Sequence, residues 1–254
     1  MLGIYFSGTG NTRHCIEKLL SCIDPEAQTV ALENPDVVEL IKQNDIIYIG
    51  YPTHYSNTPY MVRDFINKHA ELWKGKSILC VATMGLFSGD GAGCSARLLR
   101  KYGATILGGL HIKMPDAVCD ARALKKTVEQ NREIVRRADQ KIERVAADIR
   151  VGKYPTDGIG FISHLCGLFG QRLWFYGKTA HYSQKLKISD ACVGCGLCSE
   201  NCPMHNLTIK EGKAVAGEKC TMCYRCISHC PKQAITLIGK QVIEQCRYEK
   251  YKVE

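Results

Sequence analysis

The sequence predicts an α/β fold: a doubly wound, five-stranded parallel sheet followed by a small α+β domain. Three observations predict it. Five β-rich apolar runs alternate with helical patterns over the first 150 of 254 residues, and such alternation means a parallel sheet covered on both faces. A turn of glycines and hydroxyls, Ser7 to Thr12, joins the first run to the first helix. Eight of the fifteen cysteines crowd into residues 192–230, in two runs that repeat at an offset of 28 residues. The expected organisation is a sheet domain over 1–150, a connector over 151–187 and a cysteine-rich domain over 188–254.

The strand candidates are Leu2–Phe6, Gln28–Leu32, Asp45–Gly50, Ser77–Thr83 and Thr105–Met114. Between them, Ile16, Leu19, Leu20 and Ile23 recur at helical spacing. "SNTPYMVRDFINKHA" opens on Thr58–Pro59, a capping residue ahead of a proline suited to a first helical turn. A third helix is expected over Ala92–Tyr102, closed by Gly103. The last, about Ala121–Arg150, turns Leu124, Val128, Ile134, Val135, Ile142, Val145 and Ile149 inward. In the connector, Phe161, Leu165 and Leu168 share one helical face, and Ile162, Cys166, Phe169, Leu173 and Tyr176 share another. Two apolar faces suit a helix clamped between domains. The alternative is a membrane surface, with Arg172, Lys178, Lys185 and Lys187 at the headgroups. The clamp is the expected role.

A hydrophobic content of 45% and a mean hydropathy of −0.15 are ordinary for a soluble globular chain. The N-terminus lacks the charged-then-apolar pattern of a signal peptide. The least polar stretch, "GIGFISHLCGLFGQRLWFYGK", is interrupted by Ser163, His164, Gln171 and Arg172, too often for a spanning helix. A cytoplasmic location is therefore expected, and there such cysteine density means metal rather than disulfides. The formal charge of +9 counts every thiol as neutral. Two four-iron centres at about −2 each and a phosphate monoester at about −2 would reduce it to about +3. The basic excess then offsets bound anions; it argues against nucleic acid and leaves a surface able to steer acidic protein partners.

"CVGCGLCSENCPMHNLTI" and "CTMCYRCISHCPKQAITL" each read C-x₂-C-x₂-C-x₃-C-P. Three thiolates two residues apart can wrap one face of a cubane, while the fourth, ahead of proline, ligates the other cluster. By that rule Cys192, Cys195, Cys198 and Cys230 hold one 4Fe–4S centre, and Cys202, Cys220, Cys223 and Cys226 hold the second. Gly194 and Gly196 let backbone amides approach the sulfurs. A pair of zinc sites would favour four-ligand sets separated by longer loops and has no use for Pro203 and Pro231. His205 and His229, beside sets already complete, are expected to be surface or supporting residues. From about Ile188 to Leu237 the chain resembles the two-cluster bacterial ferredoxins.

A strand, a tight Gly8/Gly10 turn and a helix present backbone N–H groups at a helix N-terminus, which is an anion site. Ser7, Thr9 and Thr12 hydroxyls and the Asn11 amide add donors, and no lysine follows, so this is not a triphosphate loop. The turn closely resembles the phosphate loop of flavodoxins, whose length and element order residues 1–150 share. In the strand order 2-1-3-4-5, strands 1, 3 and 4 meet at the switch point where ligands bind. The loops after those strands are the ones unusual in composition: Ser7–Thr12, "YPTHYSNTP" and "MGLFSGDGAG". The resemblance implies FMN, with its phosphate on Ser7, Gly8, Thr9, Gly10, Asn11 and Thr12. Its ring would lie between Pro52, Thr53, His54, Tyr55 and Asn57 on one loop and Thr83, Met84, Gly85, Phe87, Ser88 and Gly89 on the other. Tyr51, His54, Tyr55 and Phe87 are the stacking candidates, since Trp73 and Trp174 fall outside these loops. "GDGAG" at Gly89–Gly93 lacks the full dinucleotide spacing, so direct nicotinamide binding is not expected.

The other cysteines, Cys15, Cys22, Cys80, Cys94, Cys119, Cys166 and Cys246, read as small hydrophobes, with Cys94 alone worth testing for reactivity. The whole chain resembles flavodoxin–ferredoxin fusions, single-chain electron carriers of anaerobes. The resemblance implies transfer between FMN and two 4Fe–4S clusters, with a redox protein such as an acidic ferredoxin or an oxidoreductase as partner. Two alternatives stay open: an FMN-dependent reductase of a quinone or nitro compound, with His54 as proton donor, and a redox-responsive binding protein without catalytic flux.

Overall fold

The structure, a computed structural model, describes residues 1–169 and 183–252. Trp174, Leu173, Tyr176, Arg172 and Lys178 lie outside the described residues. The parallel sheet runs β2-β1-β3-β4-β5, with β1 at Leu2–Tyr5, β2 at Gln28–Ala31, β3 at Ile46–Pro52, β4 at Ser77–Met84 and β5 at Thr105–Lys113. Strand periodicity divides the core into two faces. Ile47, Ile49, Ile78, Cys80 and Ala82 pack beneath α2 (Val37–Gln43), α3 (Tyr60–Lys68) and α4 (Gly91–Lys101). Tyr48, Leu79, Val81 and Leu110 pack beneath α1 (Asn11–Ile23) and α5 (Val128–Arg150).

The sequence does not signal α2, whose seven residues are too few for a clear helical period. Two boundaries also differ. Pro59, not Thr58, is the N-cap of α3, and no side chain caps it. The last helix starts at Val128, because Thr127 and Gln130 form a reciprocal capping box; a 3₁₀ turn at Arg122–Leu124 precedes it. Gly103 takes its expected place just past α4 in the left-handed region, φ 84°.

The cysteine-rich domain shows the repeat as a pseudo-symmetric pair. Each motif ends in a short helix, α7 (Leu197–Glu200) and α8 (Arg225–His229). The strand before the first motif, β6 (Lys187–Ile188), pairs with β9 (Ile235–Thr236) after the second. The strand before the second motif, β8 (Lys213–Ala216), pairs with β7 (Leu207–Lys210) after the first. Among the described residues, no helix is long and apolar enough to cross a membrane.

Over the described residues, the domains meet away from the connector helix. Its described part, α6 (Phe161–Gly167), sits on α4 of the sheet domain through His164 Nδ1, 3.0 Å from Asp90 Oδ2. Phe161 and Ile162 remain 75% and 77% exposed, so over these residues the clamp expectation is corrected. The junction is built instead from the phosphate loop and from the loop after β5. Gly8 lies so close to the Cys223 carbonyl that an added Cβ would run into it. Arg225 Nη2 donates to the Ser7 carbonyl at 2.8 Å and pairs with Glu33. Buried Asp120 accepts the Leu237, Ile238 and Gly239 amides at 2.6, 2.9 and 3.1 Å, and the Tyr224 hydroxyl at 3.1 Å. Three successive amides around one carboxylate form an anion nest. The C-terminal tail then returns to the sheet domain. The Tyr248 amide donates to the Thr9 carbonyl at 2.8 Å, its ring stacks on His14 at 4.1 Å, and Tyr251 is buried in the α1–α5 core.

Gly8→Ala is expected to lower stability by about 1–3 kcal/mol, the usual cost of overpacking, and to expose the interdomain loops to protease. Thermal unfolding and limited proteolysis of the anaerobic protein check this; wild-type behaviour would mean that the loops do not touch.

Candidate functional site

The carboxyl ends of β1, β3 and β4 open onto a cleft with about 1040 Å³ of empty space, continuous with solvent. This is the edge where an open α/β sheet binds its ligands. Ser7, Gly8, Thr9, Asn11 and Thr12 line it from the first loop, Pro52, Thr53, His54 and Tyr55 from the second, and Thr83, Met84, Gly85 and Phe87 from the third. Four expected residues stand off the wall. Gly10, at φ 88°, caps α1 and faces Tyr248, whose Cβ would lie 3.0 Å from an added Cβ. Asn57 closes a turn back onto His54 through paired backbone bonds of 3.0 and 3.1 Å. Ser88 is buried beside His111, and Gly89 packs on Gly167. Tyr51 is also no stacking residue: it is fully buried and its hydroxyl bonds Gly91 and Ser95 behind the sheet.

The remaining wall was not legible in the sequence. Met114, Pro115, Asp116, Ala117 and Val118 come from the loop after β5, with Leu124 beyond them, and Met222, Cys223 and Tyr224 come from the cysteine-rich domain. The "MPDAV" loop leaves the same sheet edge as the others, and that position is the signal that could have found it.

At the phosphate-loop end of the cleft, Ser7 Oγ is buried and has no hydrogen-bond partner. α1 begins at Gly10 with no side-chain cap and no acidic residue in its first turn, so its leading N–H groups lack the usual acceptor. Two expected donors are spent on holding loops together. Thr12 Oγ1 lies 2.8 Å from Thr83 Oγ1, and Asn11 Nδ2 donates to the Pro115 carbonyl at 2.8 Å. Among the described residues, no lysine or arginine lines the cleft. An anion placed here would meet the Ser7 and Thr9 hydroxyls and backbone dipoles.

The second loop turns through Tyr55 and Ser56, both in the left-handed region at φ 53° and 59°. Non-glycine residues there carry backbone strain, a common feature of ligand-holding loops. The His54 imidazole is half-buried in the wall, and desolvation pushes its pKa down to about 4, so it is neutral at physiological pH. Asp116 lines the opposite side, where burial raises its carboxyl above the usual range.

The eight clustered cysteines gather as two interleaved sets. Cys192, Cys195, Cys198 and Cys230 line one small cavity; Cys202, Cys220, Cys223 and Cys226 line another. Backbone amides point at the sulfurs in matching positions of the repeat. Asn206 N lies 3.3 Å from Cys202 Sγ, and Ala234 N lies 3.3 Å from Cys230 Sγ. Among the described residues, no three metal-ligating side chains stand close enough to hold one metal ion. The two sets differ in exposure. Cys195 is exposed, next to exposed Val193 and Leu197, whereas the second set shares Met222, Cys223 and Tyr224 with the cleft.

Residues 2–102 match the family model of a flavodoxin domain, and residues 184–242 match that of a 4Fe-4S dicluster domain. No curated protein matches the chain. Similar solved structures include the two-electron reduced flavodoxin of Megasphaera elsdenii, at 25% identity over 44% of this chain and 85% of that one, TM-score 0.40. A flavodoxin from the domain Archaea is 18% identical over 59% and 95%, TM-score 0.43, and oxidised flavodoxin 2 of Bacillus cereus 19% identical over 57% and 94%, TM-score 0.42. A flavodoxin domain implies FMN, and a dicluster domain implies iron–sulfur centres. The residues fit both groups: an orphaned hydroxyl and an uncapped helix suit a phosphate, and two cavities of four sulfurs with amide donors suit two cubanes.

Because His54 stays neutral above about pH 4, His54→Gln is expected to leave the pH dependence of flavin affinity unchanged, the phosphate's own ionisation near pH ~6 being common to both proteins. Fluorescence titrations of wild type and His54→Gln between pH 5 and 8 check this; an inflection near 6.5 that His54→Gln removes would contradict the neutral imidazole.

Proposed function

We propose, for a chain that joins a flavodoxin domain to a 4Fe-4S dicluster domain, that it is an electron carrier whose flavin site and two iron–sulfur sites communicate within one molecule. One observation carries the reading: Met222, Cys223 and Tyr224 belong both to the cleft wall and to the cavity of the second thiolate set. FMN exchanges one or two electrons and a 4Fe–4S centre one, so the three groups together supply conversion between paired and single electrons.

The chain's own residues place and insulate these groups. The Ser7 hydroxyl and the leading amides of α1 hold the phosphate. Pro52–Tyr55 and Met84–Phe87 flank the ring, and Tyr224 closes the side toward the cysteines. Cys202, Cys220, Cys223 and Cys226 hold the inner centre, and Cys192, Cys195, Cys198 and Cys230 hold the outer one. Amides aimed at the sulfurs favour the more negative, reduced state and help set its potential. The outer set, with Cys195, Val193 and Leu197 exposed, is the face that meets a redox protein in the cytoplasm, and the chain's basic excess favours an acidic one. The small-molecule reductase reading loses its protonated imidazole, since desolvation lowers the His54 pKa to about 4.

Anaerobically purified protein is expected to carry one flavin with about eight iron and eight sulfide per chain, by extraction and elemental analysis; a flavin with no iron, or iron with no flavin, would sink the reading. Ser7→Ala is expected to weaken FMN about tenfold or more, the worth of one hydrogen bond to a charged group, and to leave riboflavin affinity unchanged. Equal losses for both flavins would place Ser7 away from the phosphate.

A further inference from the structure

Seven cysteines stand outside the two ligand sets, and the pair that calls for explanation does not include Cys94. Cys119, in the loop after β5, and Cys246, in the returning tail, are 0% and 2% exposed and lie in one buried cluster, each thiol donating to a nearby carbonyl, Cys119 Sγ to Ala117 at 3.2 Å and Cys246 Sγ to Glu244 at 3.4 Å. Their backbones are tied as well: the Ile243 and Glu244 amides donate to the Cys119 carbonyl at 2.9 and 3.3 Å. The Lys125 ammonium lies 2.6 Å from Cys246 Sγ. Ser228 Oγ lies 3.0 Å from Cys119 Sγ. The nearby Glu244 carboxylate is occupied by Lys250 at 2.9 Å and Tyr251 at 3.3 Å.

These surroundings treat the two sulfurs differently. The neighbouring Cys119 thiol, followed by the charge of Lys125, lowers the Cys246 thiol below its ordinary range. Its Cys246 neighbour and burial push Cys119 up. A thiol made more acidic beside one made less acidic is the arrangement of an attacking and a resolving cysteine. Cys15 and Cys80, by contrast, are buried in the sheet–helix core with pKa values pushed up by desolvation.

We propose that Cys246 and Cys119 are a thiol–disulfide exchange site, at which a small-molecule disulfide oxidises the pair to a Cys119–Cys246 bond that fastens the tail to the loop behind the cleft. The Cys246 thiolate attacks one sulfur of the small disulfide, forming a mixed disulfide and expelling one thiolate, which takes up a proton. Cys119 then loses its proton and attacks Cys246 Sγ, forming the internal bond and expelling the second small thiol. Two protein thiols are oxidised by two electrons, and the small disulfide is reduced to two thiols. Since Cys246 is 2% exposed, exchange proceeds when the tail lifts. The closed bond then holds Tyr248 against Gly10 and Thr9 of the phosphate loop.

The test uses the anaerobic holoprotein in buffers of graded glutathione to glutathione disulfide ratio, quenched by alkylation and mapped by peptide mass. The expected result is a cross-linked Cys119–Cys246 peptide pair that appears with one midpoint and reverses with excess glutathione. Cys119→Ser should trap glutathione on Cys246, Cys246→Ser should trap none on Cys119, and Lys125→Met should slow trapping several-fold. Two alkylated thiols at the most oxidising ratio would overturn the proposal, as would equal trapping at both positions in the serine variants.

Discussion

Everything functional in this molecule depends on one close approach: the backbone of the phosphate loop against the backbone of the second cysteine motif. Gly8 has no side chain because the Cys223 carbonyl occupies the space a Cβ would need. The loop proposed to offer its N–H groups to the flavin phosphate is thus also the surface on which the other domain rests. The two demands are compatible because both ask for bare backbone. The same economy holds at Gly10, which caps α1 in a left-handed conformation and lies under Tyr248.

Polar groups fix that approach and apolar burial sustains it. Asp120 reaches out of the sheet domain into three amides of the cysteine-rich domain, and each charge-assisted bond is worth about 1.5–3 kcal/mol. Arg225 answers from the other side, between Cys223 and Cys226 in sequence, by holding the Ser7 carbonyl and Glu33. The tail adds Tyr248 and Tyr251. Loops after β1 and β5 therefore carry both the cleft wall and the domain junction, so a change that loosens one loosens the other.

Periodicity and spacing made much of this readable beforehand. Strand alternation such as Ile47/Ile49 against Tyr48 assigns both faces of the sheet, and the cysteine spacing separates the two thiolate sets. Local patterns fail where a residue's role is set by something distant in the chain. Tyr51 reads as a ring for stacking, yet its strand position turns it into the core. Asn11 and Thr12 read as phosphate donors, yet Pro115 and Thr83 claim them. Asp120 and the residues around Tyr248 look like ordinary loop sequence, because their partners lie more than 100 residues away. The connector misled for a different reason: an apolar helix announces that something covers it without saying what.

The central claim is that the cleft and the inner thiolate set share a wall, and time-resolved photoreduction tests it most directly. The flavin would be reduced by a light pulse under argon while the iron–sulfur absorbance is followed over a range of protein concentrations. Bleaching at a rate independent of concentration, and slowed in Gly8→Ala, is the outcome the structure requires. A rate that rises in proportion to concentration would mean that electrons travel between molecules, and the shared wall would have no functional meaning.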